Sequence, residues 1–219
     1  MKLLGFDKVV CLSPHPDDVE YGMLGTVLMY PGTKFVIMTM SLGTPGDVTC
    51  GLVRQEEVRQ CWNGVPNVTL RFTGVSALED LKEREWIHLL EHKHRGQLDD
   101  CNAIFTPPNY DTHYEHLLVN RIGLALTRSR SFSLLEYRTA STSSSWVSNM
   151  KVDITDVYRQ KLRMINMFKS QARHGYFSPP ALLIFHMDYD ARKHGVHMWR
   201  EEFRIVNLWV GGNDNVQQT

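Results

Sequence analysis

The sequence lacks paired cysteines and long apolar runs. Its four cysteines, Cys11, Cys50, Cys61 and Cys101, are scattered and form no CxxC pair. This excludes a disulfide scaffold or a cysteine-rich zinc knuckle and favours free thiols in a reducing compartment. No apolar stretch approaches the ~20 residues that cross a bilayer, and Asp7 comes too early for a secretory signal. These absences predict a soluble cytoplasmic protein with no membrane span.

An excess of charge is missing as well. Lys and Arg number 24, as do Asp and Glu, so the formal net charge is zero, and no run of Lys and Arg is present. The usual electrostatic basis for binding nucleic acid or an acidic membrane is therefore absent. With 42% hydrophobic residues and no internal repeat, the chain can pack one sizeable core. We predict one domain over residues 1–210 and a polar tail over residues 211–219; a homo-oligomer is compatible with this sequence.

Short β-rich runs alternate with helical patterns along the first two-thirds of the chain. The predicted strands are Lys8–Leu12, Lys34–Met40, Val68–Phe72, Ala103–Thr106 and Ser133–Tyr137. The predicted helices between them are Val19–Tyr30, Leu52–Asn63, Leu81–His94 and Glu115–Ser129. Strands that alternate with helices form βαβ units with right-handed crossovers. The predicted fold class is α/β: a Rossmann-like, open, mostly parallel sheet with helices on both faces.

The last third of the chain has a weaker pattern. Thr139–Trp146, rich in Ser and Thr, is typical of an exposed loop or edge. A helix is predicted over Asp156–Lys169, followed by a loop over Ser170–Pro180, where two prolines act as a breaker. Ala181–Phe185 is apolar enough for one more strand or a buried connector.

One histidine and three carboxylates are concentrated directly after the first predicted strand. The segment Ser13–Glu20 reads SPHPDDVE, and its two prolines restrict where His15, Asp17 and Asp18 point. Ligands of open parallel sheets bind beyond the carboxyl ends of the strands, which is where this loop lies. The alternative is that the two aspartates merely cap the following helix. Capping leaves the histidine and the prolines unexplained, so we favour a site for chemistry.

A second polar cluster follows the fourth predicted strand. The segment Thr106–His116 again places prolines after a strand end, and His113 and His116 are three residues apart at a helix start. The topology lets the loops after strands one and four adjoin. One histidine of this cluster would then join His15 and Asp18 in a three-ligand set with a fourth position for water, as in catalytic zinc sites.

The two clusters resemble the LmbE/PIG-L family of zinc-dependent N-acetylglucosaminyl deacetylases, whose pattern is P-H-P-D-D-x-E followed later by H-x-D-H. The resemblance extends over nearly the whole chain. It includes Gly25-Thr26, Thr39–Gly43 with Gly46, Arg54 with Glu57, Gly64-Val65, Asp153-Ile154-Thr155 with Lys161, Ser170-Gln171 and Glu201-Glu202-Phe203. The resemblance implies a hydrolase that removes the acetyl group from a small N-acetylated amino sugar or sugar conjugate.

The resemblance also implies roles for five residues of the two clusters. His15, Asp18 and His116 match the ligands of Zn²⁺, for which another divalent metal could substitute. Asp17 matches the general base, which takes a proton from water and delivers it to the leaving amine. His113 matches the histidine that polarises the carbonyl or stabilises the oxyanion.

Two further positions are matched as substrate-binding. Arg54 corresponds to an arginine that contacts the sugar or its phosphate. Glu115 stands where the family usually has Asp, and its longer side chain would orient or charge-stabilise His113 with a shifted geometry.

Two other classes of function remain as alternatives. His88–His92 reads HLLEH and matches the inverted zinc-peptidase motif H-x-x-E-H, although both histidines fall on the polar side of a helix. The chain could also be a non-catalytic sugar- or nucleotide-binding module that keeps the fold. Of the histidines in the last third, His174 and His194 are predicted at the surface or in packing, whereas His186 or His197 could line a substrate pocket.

Overall fold

The computed structural model describes residues 1–43, 47–129, 131–189, 195 and 197–209. The strands are β1 (Lys8–Ser13), β2 (Lys34–Thr39), β3 (Val68–Phe72), β4 (Ala103–Thr106), β5 (Ser133–Tyr137), β6 (Met150–Asp153) and β7 (Arg200–Asn207). The helices are α1 (Asp18–Met29), α2 (Val48–Cys61), α3 (Glu83–His88), α4 (Arg95–Leu98), α5 (Tyr114–Leu126), α6 (Tyr158–Ile165) and α7 (Pro179–His186). Within these residues, no helix combines the length and apolar character needed to span a bilayer. The predicted tail at 211–219 lies outside the described residues.

The strands form one sheet in the order β3-β2-β1-β4-β5-β7-β6. β1 to β5 pair in parallel, whereas β7 runs antiparallel to both β5 and β6. The chain moves outward from β1 through β2 to β3 and then returns to β4 on the other side of β1. The order therefore reverses between β1 and β4, and a crevice opens at their carboxyl ends. The predicted α/β class with a mostly parallel sheet is confirmed.

Helices cover both faces of the sheet. Successive side chains of β1 point to opposite faces, so the strand contributes to an apolar cluster on each side. Val9 and Cys11 pack into one apolar cluster with side chains of α1, α2 and α6. Val10 and Leu12 pack into a second cluster with side chains of α3 and α5. The central strand is thus buried on both sides, as parallel strands generally are.

The last third of the chain differs from the prediction in several places. Ala181–Phe185 is neither a strand nor a connector: it lies in helix α7, whose N-cap Ser178 accepts a hydrogen bond from the Ala181 N–H. Prolines at the first helical positions start this helix instead of breaking it. The predicted helix Asp156–Lys169 is shorter, with a 3₁₀ turn followed by α6. Strands β6 and β7 were not predicted, because the charged run in β7 obscures its alternation of buried and less buried side chains.

Two other segments also need correction. The helix predicted over Leu81–His94 ends as α3 at His88 and continues as a π-helical turn over Leu89–Lys93, a change of hydrogen bonding that apolar periodicity does not reveal. Thr139–Trp146 is not simply an exposed loop. Its two end residues, Thr139 and Trp146, are buried, and the Trp146 Nε1–H donates to Glu136 Oε2 at 2.8 Å.

A buried ion pair joins α1, α6 and β7. Lys161 Nζ lies 2.6 Å from Glu201 Oε1 and donates to the Tyr21 carbonyl at 2.6 Å. Glu201 also accepts hydrogen bonds from the backbone N–H groups of Gly25 and Thr26 in α1. Both side chains are fully buried, so each charge depends on the other and on these backbone partners. The pair fixes α1, which begins at the polar loop after β1, against the C-terminal strand.

Candidate active site

The loop after β1 is held by side-chain hydrogen bonds to its own backbone. The Ser13 hydroxyl donates to the His15 carbonyl at 2.6 Å and accepts from the Val19 N–H at 3.3 Å. Asp17, the N-cap residue of α1, makes no side-chain capping bond, and Asp18 Oδ2 accepts from the His15 N–H at 2.9 Å. The capping interpretation of the two aspartates is therefore wrong, and both carboxylates are directed to other partners.

The loop after β4 is built around Asp111. One carboxylate oxygen, Oδ1, accepts from the His113 N–H at 2.8 Å, and Oδ2 lies 3.0 Å from His116 Nδ1. The Thr139 hydroxyl also donates to Oδ2, at 2.6 Å. His113 is the N-cap of α5, and its Nδ1 accepts from the Glu115 N–H at 3.3 Å. These bonds fix the directions of both histidines at the start of the helix.

The two loops converge at the point where the strand order reverses. His15 Nδ1 lies 3.1 Å from Asp18 Oδ2, and His116 Nε2 lies 3.3 Å from Asp18 Oδ1. Among the described residues, His15, Asp18 and His116 each place one ligand atom within 4.8 Å of the others. A second trio, formed by His15, His113 and Glu115, meets the same distance. The predicted approach of His15 to His116, which are 101 positions apart in sequence, is thus present.

In each buried imidazole, the ring nitrogen that does not face Asp18, here called the outer nitrogen, contacts a second carboxylate. His15 Nε2 lies 2.7 Å from Glu115 Oε2, and His116 Nδ1 contacts Asp111. Burial alone lowers the pKa of His15, but Asp18 and Glu115 outweigh it and raise that pKa to about 9. Burial also lowers the pKa of His116, and Asp18 and Asp111 raise it to about 10. The carboxylates therefore stabilise positive charge between the two loops.

Glu115 lies closer to His15 than to the histidine that it was expected to orient. The distance between its Oε2 and His113 Nδ1 is 3.9 Å, compared with 2.7 Å to His15 Nε2. The extra methylene of Glu relative to Asp allows this reach across to the other loop. His113 is instead oriented by backbone, and burial together with the neighbouring His15 and His116 lowers its pKa. With Nδ1 accepting a hydrogen bond, neutral His113 carries its proton on Nε2.

Arg54 contacts Asp17 within the structure. Its Nη2 donates to Asp17 Oδ2 at 2.8 Å and its Nη1 to the Gly43 carbonyl at 2.8 Å. Gly43 has a φ of +68°, and a Cβ there would lie 2.6 Å from Arg54 Nη1. A glycine is therefore required for this approach. Burial raises the pKa of Asp17, and the adjacent guanidinium of Arg54 opposes that rise.

Residues of both loops, together with Gly43 and Arg54, line a pocket of about 410 Å³. This volume is within the range of small-molecule sites. The remaining walls come from α1 and the segments after β5 and α6; they are Tyr21, Ala140, Ser141, Gln171, His174, Tyr176 and Phe177. His174, which was predicted at the surface or in packing, belongs to this wall. His186 and His197 are not among the lining residues: His186 is buried against the Arg200 carbonyl and His197 is exposed. His194 and Gly46 lie outside the described residues.

The HxxEH segment forms no comparable cluster. His88 and His92 are both exposed, with ring centroids 4.2 Å apart, and Glu91 pairs with Arg128. Within the described part of the chain, neither histidine belongs to a group of three that could hold a metal ion. The structure therefore favours the polar-face interpretation of this helix over the peptidase alternative.

The donor set between the two loops suits a divalent cation. Two imidazole nitrogens and a carboxylate are the ligand types of catalytic zinc sites. Each imidazole has its far nitrogen hydrogen-bonded to a carboxylate, which is the arrangement that orients metal-bound histidines. The pocket thus offers a donor set of the right chemical type, oriented by neighbouring carboxylates.

Asp111 and the pocket wall formed by residues 171–177 were not assigned roles from the sequence. Asp111 lies in the loop that follows β4 and precedes His113 by two residues, so its place in a loop after a strand was the available signal. For the wall, no sequence signal distinguishes lining residues from an ordinary loop. Glu20, the third carboxylate of the first cluster, accepts from the Trp62 Nε1–H at 2.5 Å, away from the pocket.

Comparison with known proteins identifies the family. The model of the PIG-L family, described as GlcNAc-PI de-N-acetylase, matches residues 10–127, more than half of the chain. This range contains both polar loops and Arg54. No curated protein matched the chain in a sequence search.

Several solved structures share the fold. N,N'-diacetylchitobiose deacetylase from Pyrococcus horikoshii is 23% identical, with a TM-score of 0.72 over 93% of this chain and 85% of that chain. The A40926 pseudoaglycone deacetylase Dbv21 is 15% identical, with a TM-score of 0.68 over 93% and 98% of the two chains. GalB, the 4-carboxy-2-hydroxymuconate hydratase from Pseudomonas putida KT2440, is 13% identical, with a TM-score of 0.72 over 94% and 99%. Together with the family match, the two loops and their shared pocket show that the chain belongs to the PIG-L family of GlcNAc-PI de-N-acetylases, metal-dependent hydrolases of the N-acetyl amide bond.

Proposed function

We propose that the protein removes the acetyl group from an N-acetylated amino sugar or sugar conjugate, with His15, Asp18 and His116 holding Zn²⁺ or another divalent cation. The observation that carries this proposal is the meeting of three donor atoms from two distant loops within 4.8 Å. The bound cation supplies Lewis-acid chemistry, which makes the amide carbonyl a better electrophile and water a better nucleophile. None of the four cysteines forms a disulfide bond, which supports a cytoplasmic location.

Asp17 is the residue that we propose as general base. Its carboxylate lines the pocket beside the ligand Asp18, and Arg54 binds its Oδ2 and so fixes its direction. A fixed carboxylate can take a proton from water and return it to the amine nitrogen that leaves. Arg54 accordingly acts on the base, in addition to any contact with the sugar.

His113 is placed to stabilise the developing oxyanion. Its Nδ1 is occupied by the Glu115 N–H, which leaves the Nε2–H as a donor in the pocket. A neutral imidazole that is fixed before the reaction needs no reorganisation as negative charge grows on the carbonyl oxygen. Glu115 and Asp111 orient His15 and His116 through their outer nitrogens.

Replacing Asp111 is expected to weaken metal binding. Asp111→Asn places an amide where His116 Nδ1 now meets a carboxylate oxygen, so the imidazole loses the partner that fixes its tautomer. Metal affinity should fall by about 10–100-fold, and saturating metal should restore part of the activity. Metal dissociation constants from chelator competition measure this effect. The exposed Asp156→Asn serves as the control, and equal affinities for the two variants would remove Asp111 from the site.

A substrate screen tests the proposed function. Metal-reconstituted protein is incubated with a panel of N-acetylglucosamine conjugates and with matched N-propionyl conjugates, and the released amine and acetate are quantified together. We expect both products in equal amounts from acetylated sugars, and none from chelator-treated protein. Since a hydratase shares the fold, loss of unsaturation in an enoic acid panel without any amine release would contradict the proposal.

A further inference from the structure

The lining of the pocket has two chemically different parts. One part, which we call the polar end, carries the two loops with their imidazoles and carboxylates. The other part is an aromatic wall, which we define as Tyr21, His174, Tyr176 and Phe177. An acetamide group needs only the polar end. The aromatic wall must therefore serve the remainder of the molecule that carries the amide.

The aromatic wall rests on a packed support. Phe177 is buried, and its ring centroid lies 5.6 Å from that of Tyr21. The segment that carries the wall is fixed to α2, because the Ser170 N–H and hydroxyl donate to Glu57 Oε1 and Oε2 at 2.8 and 2.6 Å. Ring positions in the wall are therefore set before a ligand binds, which lowers the entropic cost of binding.

Tyr176 and His174 form the accessible surface of the wall. Their rings stack on each other, with an interplanar angle of 21° and centroids 5.4 Å apart. Tyr176 keeps 42% of its surface exposed although it lines the pocket. An aromatic face presents negative charge, and the C–H groups on one face of a pyranose ring present weak positive charge and apolar area. The rim of the same sugar carries hydroxyls that need polar partners.

We propose that the pyranose ring of an acetylated amino sugar stacks on Tyr176, which His174 supports from its other side, so that Tyr176 determines the preference for a sugar over an acyclic acetamide. The proposal rests on the deacetylase function proposed above and names its substrate class. Tyr176 acts in binding and orientation, while the chemistry stays at the polar end.

Steady-state kinetics of Tyr176 variants test the stacking. With methyl N-acetylglucosaminide, Tyr176→Ala should raise KM about tenfold with kcat unchanged, and Tyr176→Phe should match the wild type. Tyr189→Ala, an exposed tyrosine outside the pocket lining, is the matched control. With N-acetylethanolamine, which has no ring, the ratio of Tyr176→Ala to wild-type kcat/KM should stay near one. A KM that is unchanged in Tyr176→Ala, or equal loss with both substrates, would overturn the proposal.

A binding experiment separates this inference from the catalytic one. Methyl glucopyranoside lacks the acetamide, so its binding does not depend on amide hydrolysis. Saturation-transfer NMR should detect it on the metal-loaded wild type and on Tyr176→Phe, and lose the signal with Tyr176→Ala. If no acetylated sugar is hydrolysed but this pattern appears, the proposed reaction fails and the stacking stands. If hydrolysis occurs without the pattern, the stacking fails alone.

Discussion

Asp17→Asn should lower kcat by about 10²–10⁴-fold while the protein keeps its metal. The effect follows from the position of Asp17, whose carboxylate lies in the pocket and whose Oδ2 accepts from Arg54 at 2.8 Å. Asn keeps the shape and an oxygen that can accept from Arg54, but it cannot take a proton from water. Measured kcat values and metal content on the same preparation show whether proton transfer and metal binding are separate.

The variant also removes a charge from a buried ion pair, so its folding needs a check. Arg54 and Asp17 expose only 9% and 7% of their side chains, and an unpaired buried charge is destabilising. Circular dichroism and thermal unfolding therefore accompany the kinetics, with Asp156→Asn as an exposed control. Near-normal hydrolysis by folded, metal-loaded Asp17→Asn would show that another group is the base.

His116→Ala should lose both metal and activity. His116 is 3% exposed and bonds with one nitrogen to Asp111 and approaches Asp18 with the other. Removing the imidazole deletes one of three proposed ligands and leaves two carboxylates without their shared partner. Metal affinity should fall by more than the ~10–100-fold typical of losing a supporting hydrogen bond. Elemental analysis after dialysis, together with amine release, measures both losses.

The matched control is a histidine of the HxxEH segment. His88→Ala and His92→Ala should retain metal and activity, because both rings are exposed and lie outside the three-residue groups found among the described residues. If the peptidase alternative were right, His88→Ala and His92→Ala would lack the metal and His116→Ala would retain it. A metal-free His88→Ala with an intact fold would reverse our assignment of the site.

The parallel half of the fold could be predicted because its signals are local. Val9–Leu12 in β1 and Phe35–Met38 in β2 are continuous apolar runs, and proline-framed polar loops follow β1 and β4. The carboxyl ends of parallel strands share one edge, so the approach of His15 to His116 followed from topology. The antiparallel edge gave no such signal. In β7 the buried charge of Glu201 depends on Lys161, 40 positions earlier, and on the backbone N–H groups of Gly25 and Thr26.

The sequence indicated which residues form the site better than it indicated which of them contact each other. The identity of Glu115 does not show that its carboxylate reaches His15 on the other loop, a separation of 100 positions. Likewise, the pairing of Arg54 with Asp17 depends on how α2 lies against the loop after β1. Side-chain packing and electrostatics determine these pairings, and residue type and spacing alone do not predict them.

The Lys161–Glu201 pair has a consequence for biosynthesis. Residues 10–127, which carry the family match and both polar loops, leave the ribosome well before residue 201. Until then the backbone N–H groups of Gly25 and Thr26 lack the carboxylate that they contact in the finished protein. The nascent chain therefore displays every proposed metal ligand before the first helix has its permanent neighbour.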